Sequence, residues 1–268
     1  MLVERIYKHY EQENRQTRSH LGASELGSEC ERKLWLNFRW HYDADFSGRM
    51  LRLFETGSLA EQRFIDNLYS IGVTVKALDE VTGSQHRVSA LSGHFGGSLD
   101  AVAYNIDPED PSRLYILEFK THNDKSFTSL QKQGVAESHY QHYAQLQIYM
   151  GLSGIEQSVC HAENKNTDEL YEEIVYLNKD VFDTLMAKAR RVIQSQTPPA
   201  KINDNPAYFK CKMCPAFDVC HGGKQPNKNC RTCKHSEPTS NGLWMCRKKN
   251  QTLTVQDQQA GCEQHEYI

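Results

Sequence analysis

Arg113-Leu-Tyr-Ile-Leu-Glu-Phe-Lys120 alternates with a period of two, placing Leu114, Ile116, Glu118 and Lys120 on one face of an extended strand and Tyr115, Leu117 and Phe119 on the other. Glu118 and Lys120 therefore point the same way. Upstream, Gly97-Ser-Leu-Asp100 runs into Ala101-Val-Ala-Tyr104, a second strand-like stretch that begins at Asp100. Between them, Asp107-Pro-Glu-Asp-Pro111 has the turn-forming residues that fold two such runs into a hairpin. Asp100, Glu118 and Lys120 can then converge on one face. Two carboxylates and an ammonium at this spacing are the side chains that metal-dependent phosphodiester chemistry uses.

Working outward, a first helix is expected over residues 1 to 13, and Ser24-Glu-Leu-Gly reads as the capped start of a second that runs to Leu36. Met50 to Leu68 has Leu53, Phe54, Gly57, Phe64, Ile65 and Leu68 at the spacing of an amphipathic helix with one inward stripe. Glu61 falls on that stripe, where a carboxylate is costly to bury without a cation or a hydrogen-bonding partner. Strand-like runs are expected at 73–78, 86–91, 100–106 and 113–121, then a helix over His139 to Leu152, a strand over Tyr171 to Leu177 and a helix over Asp180 to Gln194. Thr197-Pro-Pro-Ala200 marks a boundary or a linker. This order predicts an α/β fold, α+β by the stricter label, with a mixed central sheet flanked by helices.

The chain has 268 residues, 38% of them hydrophobic and 24% charged, ordinary values for a protein with a sizeable core. No stretch approaches the run of about eighteen uncharged apolar residues that a membrane helix needs. Met1 to Tyr10 alternates charged and apolar residues too closely for a signal sequence, so a cytoplasmic setting and no membrane partner are expected. The net charge of -3 argues against a global electrostatic grip on nucleic acid, yet residues 201–250 hold ten Lys or Arg against three Asp or Glu. Nine cysteines in a reducing compartment point to metal ligands rather than disulfides.

On Asp100, Glu118 and Lys120, with Gln145-Leu-Gln-Ile-Tyr149 on the following helix, the chain resembles the PD-(D/E)xK nuclease superfamily over about residues 20 to 220. The likeness is to its RecB-like iron-sulfur branch, which includes CRISPR-adaptation nucleases and phage exonucleases. The resemblance implies that Glu61, Asp100 and Glu118 hold Mg²⁺ or Mn²⁺, that Lys120 serves the attacking water or the anionic transition state, and that Gln145 and Tyr149 buttress the site or touch DNA. The branch usually has a histidine where this chain has Glu61, and phage-type relatives resemble it more closely there. Leu99-Asp100 stands where Pro-Asp is usual. Taken alone, an E-x-K pair on a strand could equally be a solvated ion pair.

Cys211-Lys-Met-Cys214 and Cys220 form C-x2-C-x5-C, with Cys30 alone upstream. In the same branch one cysteine before the core and three after it hold a [4Fe-4S] cluster, so the resemblance implies that cofactor on Cys30, Cys211, Cys214 and Cys220. Zn²⁺ on the same four thiolates is the competing expectation. Cys230, Cys233, Cys246 and Cys262, spaced C-x2-C-x12-C-x15-C, read as a small zinc ribbon in which His235 or His265 could replace one thiolate. Arg231, Lys234, Arg247, Lys248, Lys249 and Trp244 surround it, as a DNA-contacting appendage would need, although a purely structural knot fits as well. Cys160 reads as a buried small hydrophobe, and His139 and His142 as lining a cleft or capping a helix.

By motif the chain divides into an iron-sulfur nuclease domain, 1–222, and a zinc-binding module, 223–268. The resemblance implies a metal-dependent exonuclease acting on DNA ends, single-stranded or resected duplex, in recombination, repair or phage DNA metabolism within a bacterial cell or a phage-infected host. No phosphate-binding G-x-x-x-x-G-K-[ST] loop occurs, so a recombination or helicase protein is a possible partner. An endonuclease of CRISPR-adaptation type is the alternative enzyme, and an inactive DNA-binding scaffold the alternative of another class.

Overall fold

The computed structural model describes residues 1–13, 18–43 and 45–268. In chain order its helices are α1 (Leu2–Glu13), α2 (Glu31–Phe38), α3 (Gly48–Ser70), α4 (Asp124–Ser138), α5 (Tyr140–Ser153), α6 (Lys179–Gln194), α7 (Phe209–Lys212), α8 (Phe217–Cys220) and α9 (Val255–Ala260). The strands are β1 (Leu21–Gly22), β2 (Thr74–Lys76), β3 (Arg87–Ala90), β4 (Phe95–Ser98), β5 (Ala101–Tyr104), β6 (Tyr115–His122), β7 (Gln157–Asn164), β8 (Leu170–Tyr176), β9 (Ser236–Pro238), β10 (Trp244–Cys246) and β11 (Gln251–Leu253). The fold is mixed α/β, as the element order predicts. Two compact units form, one from Met1–Arg15, Phe46–Val88 and Gly97–Leu185, the other from Gln16–Asp45, Ser89–Gly96 and Met186–Ile268. This is a division by packing, whereas 1–222 and 223–268 is a division by motif.

The first unit is built on a five-stranded sheet in the order β2-β5-β6-β7-β8. β5 and β6 are the expected antiparallel hairpin, with Ala101 opposite Leu117, whereas β6 and β7 run parallel, with Glu118 beside Cys160. A parallel pair needs a crossover, and α4 and α5 supply it. α3 covers the face carrying Tyr115, Leu117 and Phe119: Phe64 stacks on Phe119 at 5.0 Å between ring centroids, and Ile65, Val75, Ala101 and Ala103 complete that core. α5 lies on the opposite face, against Glu118. Gly48 opens α3 against the backbone of α1, since a Cβ there would stand 2.3 Å from the Tyr7 carbonyl oxygen.

Two expectations for this unit need correction. The first half of the α3 stripe does not point inward: Leu53 and Phe54 are 40% and 47% exposed, nothing lies within 4 Å of a Cβ built on Gly57, and Leu51 is the buried residue there. The first half of α3 packs against α1, and only its second half lies over the sheet core. Also, β7 and α4 were not expected. β7 is covered on both faces and buries Ser158, His161, Glu163 and Asn164, which erases the period-two signal.

In the second unit the helix expected from Ser24 starts later. Ala23–Glu25 is a single 3₁₀ turn, and α2 begins after Cys30, whose Sγ accepts the Lys33 N–H at 3.4 Å as its cap. β1 pairs in parallel with β4 through Leu21–Phe95 and Gly22–Gly96, and β9, β10 and β11 form an antiparallel meander. Its core encloses two guanidinium groups. Arg231 lies 3.7 Å from the ring centroid of Trp40 and donates to the Phe38 and Ser19 carbonyls and to Gln258, and Arg39 donates to the Arg231 carbonyl at 3.0 Å. Carbonyls and aromatic faces thus surround buried cations that burial pulls down to about 10 for Arg39 and about 9 for Arg231.

Candidate active site

Asp100 sits in the residue just before β5, and its Oδ2 accepts the backbone N–H of Phe119 at 2.8 Å. That bond fixes the carboxylate between the two strands of the hairpin. Glu118, on β6, is 1% exposed, with Oε1 held by the Lys120 ammonium and by Gln145 Nε2 at 2.8 Å. Gln145 lies one helical turn before Tyr149 on α5 and also meets its hydroxyl at 3.0 Å. The other carboxylate oxygen, Glu118 Oε2, is buried and has no hydrogen-bond partner among the described residues.

Electrostatics define the group further. Burial raises the Glu118 carboxyl to about 7, against the pull of Lys120, with the charges of Asp100 and Glu61 adding to the rise. Burial also raises Asp100, opposed by Lys120 and by the Phe119 N–H. Glu61, half-buried on α3, joins the group through charge: burial and Asp100 raise its carboxyl, and Lys120 lowers it. For Lys120, burial acts downward, but Glu118 and Asp100 outweigh it and hold the ammonium above its ordinary value. Its side chain is 22% exposed, so the cation reaches solvent while the carboxylate beneath it does not. An anionic cluster with an unpartnered buried oxygen is what a hard divalent cation complements.

Beyond Lys120 lies a cluster that sequence reading missed in part. His122 continues the same strand face, two residues on, and its Nδ1 meets Ser126 Oγ at 2.9 Å; the same hydroxyl meets His139 Nε2 at 2.7 Å. His139 stacks on His142 with 5.4 Å between centroids. Buried His122 Nε2 and His142 Nδ1 have no partner among the described residues, and burial lowers these rings to about 4 and about 3, so both are neutral at pH 7. The period-two rule that pairs Glu118 with Lys120 extends to His122, which is the signal that could have found it.

The cysteine groups lie in the second unit. Burial raises the Cys214 thiol, with Lys33 lowering it and Cys30 and Cys211 raising it, and Cys220 is likewise raised by burial and by Cys30 and Cys214. Cys214 is thus in electrostatic reach of Cys30, Cys211 and Cys220, and Cys220 is also in reach of Cys30. Cys230, Cys233, Cys246 and Cys262 line one cavity. The thiols are gathered but not drawn onto a point: among the described residues no three His, Cys, Asp or Glu side chains stand as a metal-holding group. Cys160 is buried, as expected of a small hydrophobe.

The basic surface expected around the C-terminal cysteines is largely taken up within the unit. Arg231 and Trp244 are core residues at 1% and 2% exposure, Arg247 pairs with Glu237, and Lys234 and Lys248 pair with Glu266. Arg231 and Trp244 therefore cannot meet DNA. The aromatic faces available to guanidinium groups in this core, invisible in a linear sequence, account for the difference.

No family model and no curated protein matches this chain. Among solved structures, the crystal structure of SSO0001 is similar with a TM-score of 0.51 at 16% identity, covering 84% of this chain and 98% of that one. An alkaline exonuclease from Laribacter hongkongensis aligns with a TM-score of 0.45 at 11% identity, over 69% of this chain and 90% of its own. A phage-related exonuclease from Haemophilus somnus aligns at 0.46 and 14% identity, over 65% and 91%. The likeness to SSO0001 is one of fold.

Proposed function

We propose that this chain is a divalent-metal-dependent deoxyribonuclease, an exonuclease that hydrolyses phosphodiester bonds at DNA ends in recombination, repair or phage DNA metabolism. The observation that carries this reading is the state of Glu118: one oxygen locked by Lys120 and Gln145, the other buried and unpartnered, with Asp100 and Glu61 in charge contact. A buried carboxylate oxygen without a hydrogen-bond partner is a donor that a hard divalent cation complements. Held by Asp100 and Glu118, with Glu61 beside them, Mg²⁺ or Mn²⁺ would supply positive charge against the phosphate and acidify a water.

The chain's own groups then have distinct tasks. Gln145, braced by Tyr149, keeps Glu118 Oε1 from turning away, and the Phe119 N–H keeps Asp100 in the hairpin. Lys120, charged and partly exposed, donates toward the anionic oxygen that develops on phosphorus or holds the attacking water in place. In the second unit Cys30, Cys211, Cys214 and Cys220 would hold a [4Fe-4S] cluster that ties the start of α2 to the segment around α7 and α8; the soft four-thiol donor set suits that group. DNA ends, single-stranded or resected duplex, are the substrate in this reading, with a recombination or helicase protein as partner and a cytoplasmic setting. Among the described residues no helix is long and apolar enough to cross a membrane.

The test is incubation of end-labelled linear DNA and of circular DNA with Mg²⁺ or Mn²⁺. Wild type should shorten the linear substrate from its ends and leave circles whole, and Lys120→Ala and Asp100→Ala should each lose about 10²-fold or more. Intact DNA with wild type would sink the enzyme reading; cleaved circles would replace the exonuclease by an endonuclease.

A further inference from the structure

We propose that Cys230, Cys233, Cys246 and Cys262 together bind one Zn²⁺ ion as a four-thiolate site. The proposal shares no residue with the acidic group and does not depend on the nuclease reading. The four side chains come from three separate places: Cys230 opens a 3₁₀ turn that Cys233 caps, Cys246 ends β10, and Cys262 follows Gly261 beyond α9. They line one small open-sided cavity of about 20 Å³, with Lys248 and Lys249 also at its wall. Chance placement of thiols along a ribbon does not bring every one of its four cysteines to the same cavity.

The local structure also selects the ligands. Two imidazoles reach the same cavity, but each is already engaged: His265 Nε2 with Thr232 Oγ1 at 3.0 Å, and His235 Nε2 with Glu266 Oε1 at 2.8 Å. Glu266 is in turn held by Lys234 and Lys248. Among the thiols, Cys230 donates to the Asp257 carbonyl at 3.3 Å, a weak bond that deprotonation would release without leaving a buried donor behind. The backbone around the first pair is pre-formed: Asn229 accepts the Arg231 and Thr232 N–H groups, and Ile268 N–H bonds to the Thr232 carbonyl. Four sulfurs, with no carboxylate in the cavity wall, favour Zn²⁺ over Mg²⁺ or Ca²⁺.

Binding is charge-balanced chemistry. Four S–H groups release four protons to solvent, four Zn–S bonds form, and the resulting centre carries two negative charges. Lys249 and Lys248, the latter shared with Glu266, stand at the wall of the cavity and offset them in part. Those lysines thereby have a role that needs no nucleic acid.

The full-length protein, purified from zinc-supplemented medium, is assayed for metal by mass spectrometry. About one zinc per chain should be present, should fall to below about a tenth in Cys246→Ser, and should persist in His235→Ala, His265→Ala and Cys214→Ser. Absence of zinc from wild type, its retention in Cys246→Ser, or its loss in either histidine variant would overturn the assignment. Should Cys246→Ser fail to fold, Co²⁺ exchange into wild type decides instead. Thiolate-to-cobalt charge-transfer bands with tetrahedral ligand-field bands that persist in Cys214→Ser support the site, and octahedral spectra overturn it.

Discussion

Gln145 and Glu118 meet at 2.8 Å across the interface between α5 and β6, twenty-seven positions apart in the chain, and each is almost fully buried. The bond exists because β6 turns Glu118 toward α5 and because Gln145 and Tyr149, one helical turn apart, present their polar ends together. A neutral amide that donates is the right partner for a carboxylate whose remaining oxygen is left over for another ligand.

Gln145→Leu should therefore cost more in activity than in stability. Removing the donor leaves Glu118 Oε1 still held by Lys120, a loss of about 0.5–1.5 kcal/mol. Nuclease activity should fall about tenfold to a hundredfold as Glu118 turns off its productive rotamer. Urea unfolding and a turnover assay on the same preparation measure both.

Glu118 should make the metal-free protein less stable as pH rises. Its folded carboxyl titrates near 7, above the ordinary 4.5, so the folded chain binds the proton more tightly than the unfolded chain. That contribution is complete below pH 4.5 and is lost as pH climbs through 7, on the order of 3 kcal/mol in all. Glu118→Gln, which keeps the shape without the charge, should lose activity yet show a smaller fall in metal-free Tm between about pH 5 and pH 8 than wild type does. An equal fall in both proteins would contradict the origin assigned to the shift.

His142 acts with the opposite sign. Burial first, and then Lys120, His122 and His139, lower it to about 3, so the unfolded chain takes up the proton first as pH falls below 6.5. Its stabilisation is full above pH 6.5 and is lost on acidification through that value toward 3. The stability difference between wild type and His142→Gln should shrink by about 1–2 kcal/mol between pH 7 and pH 5. Denaturant melts at the two pH values measure it.

The hairpin and its polar groups were readable because β5 and β6 have one covered apolar face and one that carries the chemistry, which leaves a period-two signature. β7 was not readable: parallel to β6 and covered on both sides, it buries Cys160 and Ala162 beside His161, Glu163 and Asn164 and has no alternation to detect. α4 was lost for another reason. Gly134, at φ 70°, breaks its helical path between Leu130 and Val135. At the site, Asp100, Glu118, Lys120, Gln145 and Tyr149 were visible as residue types in order, but the histidine cluster was not, since His122 joins His139 and His142 only through the α4–α5 fold.

Gly48→Ala should detach α1. A Cβ at that position would lie 2.3 Å from the Tyr7 carbonyl oxygen and 2.4 Å from Tyr7 Cα, both backbone atoms that no rotamer change can move aside. The overlap should cost about 1–3 kcal/mol or be relieved by separation of the helix. Hydrogen exchange of α1 amides should accelerate while β6 and β7 amides keep their protection.

Cys30 is the residue on which the proposed iron-sulfur cluster turns, because it is both the cap of α2 and the thiol whose charge raises Cys214 and Cys220. Protein purified without oxygen should be brown, with broad visible absorption and about four irons per chain. Cys211→Ala should lose the colour, since three thiolates do not close a four-coordinate cluster. Cys30→Ser should lose it too, and should also loosen α2, whose first turn would exchange a metal-tethered cap for a free hydroxyl. Colourless, iron-free protein with about two zinc ions per chain would place zinc in this group as well as in the C-terminal one.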